Sequence, residues 1–343
     1  MRASIRTGLA GAVLGTVAFA QPGQADEIAD FYKGKTVSIV VGHQTGTGFD
    51  IYARVLQRHL SKHIPGNPSI VVQNMVGASG IVAANWTANI APKDGTVMAT
   101  MVYSVAFERL FGNDKAKYDP SKFNWIGNME QSVAICGVTK ASGIEKFDDL
   151  LTKEAVFGAT GATGPLGKQA QAVRRLAGAK LKVVYGYKGS ADVKLAMNRG
   201  EVAGICGLPM STIRSFWGEE LKTGDFKPII QLAGKPDPEL KGLPHIDSYA
   251  KTEDDKKTFN LVFGVQALGR IYFSPPGQPA GRTKALRDAL MATMKDKDFL
   301  ADAVKTKIDI EPMTGEETAS LIAKYSAVSP TVVERATKAT SRD

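Results

Sequence analysis

One local device recurs along this chain and constrains its fold more than any other feature. A short β-branched apolar run ends in a loop of glycine and hydroxyl residues, and a segment with helical spacing follows at once. "TVSIVVG" leads into "HQTGTGFD" and then into "IYARVLQRHLSKHI", where Ile51, Val55, Leu56 and Leu60 share one side. "SIVVQNM", "VGASG" and "IVAANWTANI" repeat the order. So do "EAVFGAT", "GATGPLG" and "KQAQAVRRLAG" further on, and then "LKVVYGY" with "KGSADVKLAMNRG". "TVMATMVY" and "VAGICGLPM" supply a further strand in each half. Apolar runs of this kind are buried on both faces, and strands that alternate with helices pair in parallel through crossovers. The expectation is an α/β fold with parallel sheets in two halves. A chain of 343 residues has room for about two domains.

The rest of the chain reads more plainly. "QLAGKPDPELKGLPHIDSYAKTEDDKK" is a polar, proline-rich connection and "YFSPPGQPAGR" a rigid turn. Residues 283–305 and 315–339 are helical, the second stretch broken near Pro330. The N-terminus has the form of a secretory leader: Arg2 and Arg6, then the apolar small-residue run 7–20, too short to span a bilayer. Cleavage after Ala20 or Ala25 is compatible with it; the latter gives a leader of 1–25, a mature start at "DEIADFYKGK" and an exported protein. The net charge of +9 is spread without a basic block, which argues against a nucleic-acid partner. Cys136 and Cys206 both lie in strand-like runs. In an oxidising compartment they either pair or remain as two buried thiols, and spacing alone does not decide.

The glycine loops fail the tests of the nucleotide motifs. After Gly46-Thr47-Gly48 the dinucleotide fingerprint needs a third glycine at 51, where Ile51 stands, and Gln73 and Asn74 take the place of a ribose-binding acid. Gly161 and Gly167 enclose five residues where a phosphate loop needs four, and Gln169 follows Lys168 where it needs Ser or Thr. Ser79 lacks the spacing of a hydrolase elbow. His59 and His63 have zinc-site spacing, but Leu60 replaces the acid of that motif, so two solvated histidines are expected. His43 and His245 read as structural. No catalytic set, metal or cofactor emerges, and the chain is not expected to be an enzyme.

Anion binding by backbone remains. A helix N-terminus carries unpaired N–H groups and partial positive charge, and glycines let a ligand approach them. Thr45, Thr47, Ser79 and Thr163 add hydroxyl donors, and Asp50 is expected to cap its helix, turned away from the ligand.

In order and spacing, "FYKGKTVSIVVGHQTGTGFDIYARVL", "VVQNMVGASGIVAANW", "APKDGTVMATM", "FGATGATGPLGKQA", "VVYGYKGSADVKLAMNRGEVAGI" and "SPPGQPAGR" resemble the tripartite tricarboxylate transporter receptors, the Bug-type periplasmic binding proteins. The likeness covers residues 30–335. It implies a type II periplasmic-binding-protein architecture: two α/β lobes with a ligand cleft between them. Lobe 1 would take residues 26–131 plus 269–343, and lobe 2 would take 132–268. By the same likeness the strand of Cys136 lies beside that of Cys206, which favours a disulfide. A small organic carboxylate would meet Thr45, Gly46, Thr47, Gly48 and Phe49, with Ala78, Ser79 and Gly80, in the first lobe. Gly161, Ala162, Thr163, Gly164 and Tyr187 would close from the second, with Tyr103 and Ser104 facing the cleft. Lys188 is the one cation the sequence places near it. The family's proline and consecutive glycines before the aspartate are replaced by Gln44 to Phe49 here, so the family's ligands do not transfer. The implied role is delivery to membrane permease subunits by a monomeric receptor; a carboxylate sensor docking on a signalling receptor is the alternative.

Overall fold

The computed structural model describes residues 23–161, 164–187 and 189–342. The proposed leader falls almost wholly outside them, as do Ala162, Thr163 and Lys188. Helix α1 spans Gly23–Tyr32, so the Ala25 cleavage point lies in its first turn.

The first half builds β1 (Thr36–Val41), α2 (Gly48–Leu60), β2 (Ser69–Asn74), α3 (Ile81–Asn89), β3 (Val97–Thr100) and β4 (Asn124–Asn128). The second builds β5 (Ala134–Thr139), α4 (Asp149–Thr152), β6 (Ala155–Gly158), α5 (Pro165–Leu176), β7 (Leu181–Val184), α6 (Ser190–Asn198), β8 (Gly204–Pro209), α7 (Met210–Phe216), α8 (Gly218–Thr223), β9 (Phe226–Leu232) and α9 (Glu253–Phe263). The chain then returns through β10 (Ile271–Ser274), α10 (Ala280–Thr293), α11 (Lys297–Thr306), β11 (Met313–Thr314), α12 (Gly315–Ser326) and α13 (Pro330–Thr340).

Two sheets result, in the orders β2-β1-β3-β10-β4-β11 and β7-β6-β8-β5-β9. In each, three parallel strands are followed by an antiparallel strand that has come from the other half: β10 in the first sheet and β5 in the second. This double crossover is the two-lobed architecture expected from sequence. The crossing segments pair with each other, Met129 N donating to Arg270 O at 3.0 Å and Gly269 N to Glu130 O at 3.1 Å. Because β5 enters beside β8, Cys136 and Cys206 become cross-strand neighbours, and they are joined in a disulfide.

Helix α2 buries Tyr52, Ala53, Val55, Leu56 and Leu60 against the first sheet, α10 and α11. Full burial of such an aliphatic side chain contributes about 1.5–3 kcal/mol. The same packing corrects the reading of His59 and His63 as solvated. His59 Nε2 lies 2.9 Å from an Asp302 carboxylate oxygen and His63 Nε2 2.8 Å from one of Asp296, on and beside α11, so the two rings pin α2 and the turn after it to that helix. Among the described residues no cluster of His, Cys, Asp or Glu is placed to hold a metal ion.

Three elements form where the sequence reading placed no strand or helix. Pro228 sits inside β9, a composition that demotes a strand, and β9 tolerates it because it lies at the sheet edge. The run read as a rigid turn opens with the last three residues of β10, a strand too short for a periodic signal. The polar connection ends in the start of α9, whose charged first turn is closed by a capping box between Thr252 and Asp255. The final helix α13 packs on α5 and α9 of the second lobe, although residues 269–343 were expected in the first.

Candidate functional site

Parallel pairing sends the C-terminal ends of β1, β2 and β3 to one edge of the first sheet and those of β6, β7 and β8 to one edge of the second. Ligands bind outside such edges in open α/β sheets, where loops meet helix N-termini. Every site residue expected from sequence that the structure describes follows one of these strands.

The loop after β1 is built around Asp50, which is 1 % exposed. It does not cap α2 as expected, since Thr47 holds the N-cap position and Asp50 lies within the first turn. Its carboxylate accepts from Gly46 N, Arg54 Nε and Asn74 Nδ2, each at 2.9 Å. Burial works to raise its pKa, but hydrogen bonds from Arg54, Gly46 and Asn74 outweigh this and hold it below the usual carboxylate range. Asn74 also donates to His43 O at 2.9 Å, tying the end of β2 to the loop. The hydroxyls expected to serve a ligand are spent within the loop: Thr45 Oγ1 donates to Asn74 Oδ1 at 3.3 Å and Thr47 Oγ1 to Gln44 O at 2.8 Å. What the loop offers outward is therefore the end of α2 itself, beginning at Gly48, where helical geometry leaves N–H groups without internal partners.

Phe49, the next residue, is half-buried. Its ring stacks on His43 at 4.3 Å between centroids, and the Arg270 guanidinium carbon lies 4.6 Å from the ring centre of Phe49 and 4.6 Å from that of Tyr52. A Cβ on Gly48 would stand 3.0 Å from Arg270 Nη2. Arg270 was missed in the sequence because β10 was missed; nothing in the run "ALGRIYF" marks it as facing a helix N-terminus. Burial, and then the charge of Arg270, lower the pKa of His43, so a neutral imidazole is favoured there.

The loop after β2 turns sharply: Gly77, Ala78 and Gly80 have φ of 155°, 45° and 94°. Ala78 is a non-glycine residue in the left-handed region, a conformation that costs about 1–2 kcal/mol. Strain of this kind gathers at ligand clamps. Ser79 belongs to the same turn, and Gly80 is buried against Met101. After β3, Tyr103 and Ser104 lie half-buried in one short helical turn. Burial pushes the Tyr103 hydroxyl up to about 12, and it approaches the amide of Gln169, which sequence did not single out. Gln169, on α5, is buried with both amide atoms lacking a hydrogen bond.

In the second lobe Gly161 is exposed, and Gly164 caps α5 with its N–H on Gly161 O at 3.2 Å. Tyr187 is part of the packing: its ring edge lies 3.3 Å from where a Cβ on Gly158 would be. The C-terminal strand edges of the two lobes thus carry helix N-termini, strained or glycine backbone, one guanidinium and several aromatic edges. No nucleophile with an adjacent base is among these described residues.

This topology, with loops of this kind at the facing edges, is the fold of two-lobed periplasmic solute-binding proteins. No family model matches the chain. It is similar to a UPF0065 protein in the gbd 5' region of Cupriavidus necator, 23% identical over 339 residues, covering 96% of this chain and 95% of that one. Among solved structures it is similar to a TctC solute-binding protein from Polaromonas, with a TM-score of 0.70, 16% identity and coverage of 90% and 99%. The periplasmic binding protein BugD gives 0.62, 18%, and 90% and 98%. A Rhodopseudomonas palustris protein with adipate gives 0.62, 20%, and 88% and 97%. These neighbours include a TctC solute-binding protein and the periplasmic binding protein BugD, of the group that the sequence resembles.

Proposed function

We propose that this chain is an exported receptor that captures a small organic carboxylate between its lobes and delivers it to a permease of the tripartite tricarboxylate type. The observation that carries the reading is Arg270 at the N-terminal turn of α2. A cation there adds to the positive end of the helix; Glu130, 3.5 Å from Arg270 Nε, offsets part of this charge, and an anion at the helix end would meet both the guanidinium and the unpaired N–H groups. The neighbour crystallised with adipate supports a carboxylate as that anion. Gly48, Phe49 and the 78–80 turn would hold it from the first lobe, with the 161–164 loop and Tyr187 closing from the second. The leader read in residues 1–25 supports a periplasmic location, and closure of the lobes would present one surface to the permease.

Titration calorimetry with adipate and shorter dicarboxylates tests this. At least one should bind with a stoichiometry near one. Arg270→Gln should weaken it by about tenfold, the cost of one lost charge-assisted hydrogen bond. If no dicarboxylate, tricarboxylate or aromatic acid gives heat, the receptor reading fails for carboxylates.

A further inference from the structure

Helix α5 carries two buried glutamines in very different circumstances. Gln171 is engaged at both ends of its amide: Nε2 donates to Tyr185 Oη at 2.8 Å, and Oε1 accepts from Arg174 at 3.2 Å. Gln169 is 2 % exposed, yet neither its Nε2 nor its Oε1 has a hydrogen bond. Buried side-chain amides are nearly always bonded, so one with both ends open needs a reason. Packing does not supply it. A Cβ on Gly207 would stand 3.1 Å from Gln169 Oε1 and 3.1 Å from Pro165 O, so the amide is wedged between β8 and the first turn of α5.

Its position decides where a partner comes from. Side chains on a helix lean towards the N-terminus, which carries this amide back over the turn that Gly164 caps, at the C-terminal edge of the second sheet. From the first lobe the Tyr103 hydroxyl approaches it. Burial raises the pKa of that phenol and Gln169 lowers it, the sign of an amide N–H directed at the phenol oxygen. A phenol that accepts such a bond keeps its own O–H to donate elsewhere. Tyr103 is only partly buried and follows β3, on the sheet edge that carries the candidate loops.

We infer that Gln169 is a positioning residue of the receptor: its Nε2 donates across the lobes to Tyr103 Oη, and the Tyr103 O–H donates to the bound carboxylate. This relay rests on the receptor reading and extends it. Gln169 touches no ligand; it fixes which way the Tyr103 hydroxyl points. The bond is poised rather than made in this structure, since the two groups are close but the amide is unbonded, and a small approach of the lobes completes it. Bonds in such a chain polarise one another. An acid held by Tyr103 therefore strengthens the contact between lobes, and closure strengthens the hold on the acid.

The test pairs titration calorimetry of the full chain, with adipate, citrate and benzoate as probes, with thermal unfolding of the same samples free of probe. Gln169→Met keeps the shape of the side chain and removes the amide. It should weaken binding of whichever probe the native chain takes by about three- to tenfold, with the melting temperature unchanged or raised, because a buried amide without partners has gone. Tyr103→Phe should weaken binding at least as much, and Gln169→Met should cost nothing further in the Tyr103→Phe background. A residue that serves only the core gives the opposite split, a lower melting temperature with binding intact. That split, or a loss from Gln169→Met that persists in the Tyr103→Phe background, overturns the inference while the receptor reading stands. A native chain that takes none of the three probes overturns both.

Discussion

Asp50 shows how one buried charge can organise the loop at a helix N-terminus. It joins Gly46, Arg54 and Asn74, and through Asn74 the end of β2. Asp50→Asn removes the charge from Arg54 and leaves one donor facing another. It should lower stability by about 2–3 kcal/mol, less than a fully buried pair because Arg54 is 41% exposed, as read by denaturant unfolding. Asp302 provides a pH test at the same scale. Its carboxyl is held down to about 2 by Arg58 first and then by His59. A depressed folded pKa means the contribution is complete above the unfolded value of about 3.8 and is lost as pH falls through about 2. Melting temperatures of the native chain and of Asp302→Asn should therefore differ at neutral pH and converge below about pH 2. A constant gap would show that this ion pair does not set the acid limb.

At the scale of elements, three loops meet because their glycines allow it. A Cβ on Gly42 would stand 2.9 Å from Met101 Cβ and 3.0 Å from Gly80 Cα, so the ends of β1 and β3 and the entry to α3 are in direct backbone contact there. Gly42→Ala should force them apart, at a cost of about 1–3 kcal/mol. Dicarboxylate binding should weaken in step, measured on protein whose circular dichroism is unchanged. Elements with strong periodicity were legible in sequence: β1, β2, α3, β6, α5 and β7 all lie where the pattern puts them. Those that failed had weak local signals, and each is held by its neighbours. Edge position tolerates Pro228 in β9, and β10 is fixed between β3 and β4 rather than by its own four residues.

At the scale of the whole molecule, the two crossovers decide which strands and side chains become neighbours. They bring β5 beside β8, and so Cys136 to Cys206 across a sequence separation of 70 residues. Replacing both by serine should cost about 2–4 kcal/mol, because the reduced unfolded chain regains the freedom of that loop. Urea unfolding with and without reductant checks this, and a reductant effect that persists in the double variant would assign it elsewhere. The crossovers also place Arg270 beside the N-terminal turn of α2 and within 3.5 Å of the buried Glu130.

The sequence by itself determined the α/β class, the order of most strands and helices, and the glycine-rich character of the loops between them. Periodicity and glycine placement are local properties, and they survive without knowledge of partners. It did not determine which donors those loops keep for a ligand, since Thr45 and Thr47 are consumed by contacts with Asn74 and Gln44. Nor did it find Arg270 or Gln169. Arg270 meets Gly48 and Glu130 from more than a hundred positions away, and Gln169 meets Tyr103 from the other lobe, so only the tertiary packing of two sheets through a double crossover brings them together.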